Sequence, residues 1–163
     1  MIYDAFLFFN ELDLLDIRLN LLNDVVDKFV IVESTVTFSG KQKRLFFDDN
    51  KHLFERFNDK IIHIVVDDTP QDFNNINYIL NPSTQSDVFQ NKVLKYLNES
   101  GGWNRSNPNE IQWGREIYQR ESMIKGLLDC DDNDLIIVSD VDEIPNPIEL
   151  LKIKDSTQSD VFE

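Results

Sequence analysis

Short apolar runs alternate along this chain with stretches whose apolar residues recur every three or four positions. The runs are residues 3–9, 29–33, 61–66 and 135–139. They are strand-length, and runs apolar on successive residues suit strands covered on both faces, as in a parallel sheet. After the first run, Leu12, Leu15, Leu19, Leu22 and Val26 fall on one helical face. Asn10 stands where a cap is expected, with Asp13 three residues on. Residues 48–57 predict a short helix. Residues 86–97 predict another, with Phe89, Val93 and Tyr96 on one face. Residues 113–128 predict a long helix with Ile117, Ile124, Leu127 and Leu128 inward. Asn146-Pro147 predicts the start of a last helix, with proline at its first position, where the missing N–H has no helical partner to lose. Polar stretches at 39–40, 70–82 and 100–108 read as loops. This order predicts βαβ units with right-handed crossovers, hence an α/β fold with a mainly parallel sheet flanked by helices. Ser-Thr-Gln-Ser-Asp-Val-Phe occurs at both 83–89 and 156–162. Its flanks differ, so it is no solenoid repeat.

Composition narrows the function classes. The chain has 163 residues and a net charge of −14. Such an excess of acid argues against a basic face laid along a nucleic acid and against attraction to anionic lipid. The length suits one domain, and 41% hydrophobic residues, 12 of all residues being Phe, supply a core. The single Cys130 forms no internal disulfide, and His52 and His63 lie apart, so a zinc site is not expected. No apolar run approaches the roughly 20 residues that span a bilayer. The N-terminus lacks a basic region of the signal-peptide kind, so a cytoplasmic location is expected and the sequons at Asn98 and Asn104 carry little weight.

Acidic residues cluster where strands end: Glu33, then Asp67-Asp68, then Asp140-Val-Asp142-Glu143. In an open α/β sheet ligands bind beyond the carboxyl ends of the strands. Parallel strands would bring these acids to one edge, where like charges repel and a divalent cation resolves the repulsion. Hard oxygen ligands select Mg²⁺, Mn²⁺ or Ca²⁺. Asp140 and Asp142 follow a buried strand, and residues two apart in extended chain point the same way. Both can reach one cation, or one can hold the cation and the other a sugar hydroxyl. A cation so held can bridge a diphosphate and stabilise it as a leaving group. That is the logic of the DxD motif in nucleotide-sugar enzymes, although Asp-x-Asp in a loop is often only solvated.

With that motif the chain resembles glycosyltransferase family 17. The resemblance rests on Tyr3-Asp4-Ala5-Phe6 with the run from Phe9 to Leu15, and on Phe29-Val-Ile-Val-Glu33-Ser34 with Thr37-Phe38-Ser39-Gly40-Lys41. It rests further on Trp113-Gly114-Arg115-Glu116 with Tyr118-Gln119-Arg120, and on Asp140-Val-Asp142-Glu143-Ile-Pro145. It implies a GT-A-like (Rossmann-like) fold, a UDP-sugar donor, a glycan or glycoprotein acceptor, Mn²⁺ or Mg²⁺, and inverting transfer of N-acetylglucosamine or a related sugar. The family's animal members are Golgi membrane proteins. By position, Asp140 and Asp142 would be the catalytic metal ligands, with Asp140 also at the donor. Glu33 would sit near the nucleotide, and Arg115 and Arg120 would reach the diphosphate or donor sugar.

Blander roles stand beside these. Arg115 and Arg120 have Glu116 and Glu121 for helix-surface pairing, and Asn10-Glu11 suit a helix cap. Lys41, Lys43 and Arg44 suit phosphate or a solvated loop. Asp67-Asp68 suit a base contact or a strand end. His63 reads as a satisfied strand residue, and Trp103 and Trp113 as packing, Trp103 being the better sugar platform. Only 20 residues follow Glu143, where the family continues into a second half. The expectation is therefore one nucleotide-sugar-binding domain over 1–163, truncated before the acceptor half and without an identifiable general base. Two other readings compete. One is a non-catalytic nucleotide-sugar- or partner-binding domain. The other is a haloacid-dehalogenase-like phosphatase, whose Asp-x-Asp comes early and is followed two residues on by Thr or Val; here it comes late, and Ile144 stands there.

Overall fold

The computed structural model describes residues 1–69 and 111–159. The predicted loops at 70–82 and 100–108, the predicted helix at 86–97, the first copy of the repeated heptapeptide and Trp103 lie outside the described residues, as does the end of the second copy. Within them the chain runs β1 (Ile2–Phe8), α1 (Leu12–Leu22), β2 (Lys28–Ser34), α2 (Phe46–Asn50), a 3₁₀ segment (Lys51–Phe57) and β3 (Ile61–Val66). It continues with α3 (Ile111–Glu121), a 3₁₀ turn (Ser122–Gly126), β4 (Leu135–Asp140) and α4 (Pro147–Ser159). The four strands pair in the order β3-β2-β1-β4, every pair parallel. The α/β reading holds, and the strand ends do share one edge.

Strand periodicity sorts the core into two layers. In β1 the even positions Ile2, Phe6 and Phe8 pack with Leu15, Leu19 and Leu22 of α1 and with Phe47, Phe54 and Phe57. The odd positions Tyr3 and Ala5 pack on the other face with Val30, Val32, Tyr118 and Met123. β1 and β2 are therefore apolar on successive residues because both faces are covered. Gly126 lets a helical turn lie close against the sheet, since a Cβ there would collide with Val30 and crowd Ile62 at 3.3 Å.

Several local expectations shift. The helix after β1 is not capped by Asn10. Glu11 occupies the cap position, and its Oε2 accepts the backbone N–H groups of Phe9 (3.2 Å) and Asn10 (3.0 Å). The helix expected over 113–128 ends at Glu121 and tightens into 3₁₀. Leu128, expected inward, is exposed, and Tyr118 and Met123 are buried in its stead. Asn146 does cap α4, its Oδ1 accepting the Ile148 N–H at 2.9 Å.

Candidate functional site

The strand order puts a reversal between β1 and β4. The chain steps outward from β1 through β2 to β3, then returns across the sheet to β4. The connection out of β1 packs on one face of the sheet and the connection that returns to β4 packs on the other, and a crevice opens at the carboxyl edge. A cleft of about 630 Å³ lies at that place. Phe9 and Glu11 after β1 line it, as do Phe38 and Lys43 after β2, and Asp140 and Asp142 at the end of β4. From α3, Glu116, Gln119 and Arg120 complete the wall.

Asp140 and Asp142 both line the cleft, though not through extended geometry: β4 ends at Asp140, and Val141 and Asp142 lie in a turn. Val141 between them is 8% exposed and belongs to the core, while both carboxylates are exposed and line the cleft. The turn that carries them closes through the Glu143 N–H on the Asp140 carbonyl (3.0 Å). The Glu143 carboxylate in turn accepts the Asp140 N–H (3.0 Å). Arg120 donates through Nη2 to Asp140 Oδ1 (2.9 Å) and to Glu116 Oε1 (3.2 Å). Burial alone would lower the Arg120 pKa, but these two carboxylates outweigh it and hold the guanidinium more firmly charged.

The motif on α3 acts as a strut between two loops. Arg115 does not line the cleft; it donates to the Phe38 carbonyl (3.1 Å) and packs on Gly40. Gly40 has φ +83°, and a Cβ there would stand 2.7 Å from the Arg115 guanidinium carbon. One helical turn on, Gln119 donates to the Val36 carbonyl (3.1 Å). Arg120 reaches the Asp140 turn from the same helix. Among the described residues the expected pairing with acids is thus found for Arg120, with Glu116, and not for Arg115.

Glu33 needs correction. Its side chain is wholly buried and lies beneath the cleft rather than on its wall. Its oxygens accept the N–H groups of Phe47 (3.1 and 3.2 Å) and Asp48 (3.4 Å) at the start of α2. Lys43 Nζ stands 3.5 Å from one oxygen and His63 Nε2 3.5 Å from the other. A carboxylate so enclosed anchors a helix start and cannot touch a ligand in the cleft. Lys43 likewise departs from the solvated loop expected of it. Its side chain is 6% exposed, beside the rings of Phe9 and Phe46, and donates to the carbonyls of Phe9 (3.4 Å) and Arg44 (3.2 Å). Burial lowers its pKa despite the opposing pull of Glu33. Arg44 is exposed and pairs with Asp49. Asp68 is exposed, near Lys125 at 3.6 Å.

Two residues at the site escaped notice as functional. Asp4 and Arg18 are both fully buried. The guanidinium grips the carboxylate twice, Nε to Oδ2 at 2.8 Å and Nη2 to Oδ1 at 2.7 Å. Nη2 also reaches Ser139 Oγ (2.7 Å). The remaining nitrogen, Nη1, donates to the carbonyls of Asp140 (2.7 Å), Val141 (3.1 Å) and Glu143 (3.3 Å). The signal was available: an acid inside an apolar strand, and an arginine between Leu15, Leu19 and Leu22 on the inward helix face. Strand parity places Asp4 on that same side.

The carboxylates at this cleft are of the oxygen type that a hard divalent cation would take. Asp140 and Asp142 offer carboxylate oxygens on one wall. Among the described residues no three acid, imidazole or thiol side chains converge. The protein would thus supply one or two carboxylates, leaving the other positions to water and ligand phosphate, as Mg²⁺-type sites are commonly built.

Comparison with known proteins bears on this geometry. The sequence model of glycosyltransferase family 17 matches residues 1–98, more than half of the chain. The chain belongs to glycosyltransferase family 17. Membership removes the phosphatase reading. The four-stranded parallel sheet with flanking helices is consistent with a GT-A-like fold. Over 63 residues, 37% of the chain, it is 38% identical to the β-1,4-mannosyl-glycoprotein 4-β-N-acetylglucosaminyltransferases of Homo sapiens and Rattus norvegicus. The Mus musculus enzyme is 36% identical over the same length. The matched stretch is 12% of each relative. No solved structure matches the chain. Among the described residues no helix is long and apolar enough to cross a membrane.

Proposed function

We propose that this family 17 chain carries the donor site of a metal-dependent glycosyltransferase. In this reading it takes a UDP-sugar, UDP-N-acetylglucosamine or a relative, for inverting transfer to a glycan or glycoprotein acceptor. The observation that carries it is the cleft at the β1/β4 reversal with Asp140, Asp142 and Arg120 on one wall. Asp140 and Asp142 hold Mn²⁺ or Mg²⁺. When bound, that cation neutralises the donor diphosphate and so stabilises it as a leaving group. Arg120 supplies charge-assisted donors to phosphate oxygens from the same wall. Phe9 and Phe38, both exposed and lining the cleft, offer flat apolar faces to a nucleobase. Arg115 contributes at one remove, by holding the Phe38 backbone.

Calorimetry with UDP and UDP-sugars, with and without Mn²⁺, tests the proposal on wild type and Asp142→Ala. Metal-dependent binding is expected in the wild type. Losing one of two carboxylate ligands is expected to weaken it by about tenfold or more. Metal-independent binding, or an unaffected variant, refutes the assignment. Donor hydrolysis or transfer then separates an enzyme from a binding module.

A further inference from the structure

The acidic turn of residues 140–143 owes its shape to a group outside it. Its peptide carbonyls at Asp140, Val141 and Glu143 all turn inward onto Arg18 Nη1. The Ser139 hydroxyl, bonded to Arg18 Nη2, also reaches the Glu143 carbonyl (3.2 Å). A guanidinium has five N–H donors in a rigid planar fork, and Arg18 uses all its nitrogens here. Nε and Nη2 hold Asp4, while Nη1, together with Nη2 through Ser139, gathers the turn. Its Cζ lies over the Phe6 ring, 4.4 Å from the centroid, which adds to the hydrogen bonds in holding the fork in place. With the carbonyls drawn inward and Val141 in the core, the flanking side chains Asp140 and Asp142 face the cleft.

We infer that Arg18, oriented by Asp4, is a positioning residue that holds the 140–143 turn in the form presenting both carboxylates to a cation. This rests on the donor-site reading for its consequence, metal affinity, but not for its cause, the order of the turn. A flexible turn bearing two acids would have to be ordered by each incoming cation, at the expense of affinity. A turn tied to a buried fork meets the cation already ordered. The partners behind first ligands commonly change metal affinity by about 10–100-fold when removed.

A structural ion pair and a positioning one differ in what survives its replacement. A buried pair exchanged for apolar residues of like volume often leaves stability unchanged or higher. Asp4→Leu with Arg18→Met is therefore expected to melt near the wild-type temperature. Amide exchange at Val141, Asp142 and Glu143 should nevertheless accelerate about tenfold or more, with β1 and β2 amides unchanged. Mn²⁺ affinity, read by calorimetry without donor, should fall about tenfold or more. Arg18→Lys keeps a charge for Asp4 but not the fork, and should show the same two changes; it serves where the double variant does not fold. Turn exchange and Mn²⁺ affinity both at wild-type values in a folded variant overturn the inference. A wild type that binds Mn²⁺ neither alone nor with UDP sinks the donor-site reading instead, and turn exchange still decides the role of Arg18.

Discussion

Replacing Glu33 separates its two assignments, ligand contact and helix anchor. Glu33→Leu removes the acceptor of the buried Phe47 N–H and of the Asp48 N–H. An unsatisfied buried donor costs about 1–3 kcal/mol. It also strips Lys43, whose side chain is 6% exposed, of its carboxylate. An uncompensated buried charge costs about 3–5 kcal/mol. Lys43 retains the carbonyls of Phe9 and Arg44 and can extend into the cleft, so the low ends apply. The expected loss is about 4 kcal/mol, against a typical total of about 5–15 kcal/mol. Glu33→Gln keeps one acceptor oxygen and loses only the charge, so about 2 kcal/mol is expected. Most of that loss should vanish in a Lys43→Met background, where no ammonium is stranded. Urea unfolding at constant slope measures the wild type, each single variant and each Glu33 variant combined with Lys43→Met. A Glu33→Leu loss under about 1 kcal/mol, or an identical cost with and without Lys43, refutes the account. Folded Glu33→Gln should bind UDP and Mn²⁺ within about twofold of wild type. A tenfold loss at unchanged stability would return Glu33 to the ligand.

Two further outcomes follow from the packing. Gly126→Ala drives a methyl into Val30 and toward Ile62, where β2 backs the sheet, and should cost about 1–3 kcal/mol in denaturant unfolding; a neutral substitution would mean that the 3₁₀ turn lifts off freely. Burial raises the Glu121 carboxyl above its ordinary 4.5. The unfolded chain ionises there first, so wild-type stability declines as pH rises from about 4.5 to the raised value. Glu121→Gln removes that decline: its advantage over wild type should be absent in acid and grow with pH, and a pH-independent difference refutes it.

Much of the fold was legible because it follows from local periodicity. Successive apolar residues in β1 and β2 signal burial on both faces, and the expected span 61–66 coincides with β3 because nothing around it competes. Asp140 and Asp142 were legible as a pair because both stand at the close of one apolar strand, but the turn that sets them on the cleft was not. Other features were not. Glu33 and Asp140 look alike in sequence, an acid closing an apolar strand, yet one is sealed under α2 and the other faces the cleft. The difference is strand order: β2 is inner and roofed by α2, whereas β4 borders the reversal. Lys43 resembled its exposed neighbours Lys41 and Arg44 because only folding brings two phenyl rings and Glu33 around it.

The sequence by itself determined the elements, the parallel α/β class, the family and the acidic pair, since all of these depend on residues within a few positions of one another. Only the tertiary structure decided which acids meet the cleft and which arginine serves which role. Arg18 and the 140–143 turn are separated by up to 125 residues, and Arg115 and Phe38 by 77. Their meeting depends on the order β3-β2-β1-β4, and on the demand that a buried guanidinium satisfy every one of its donors.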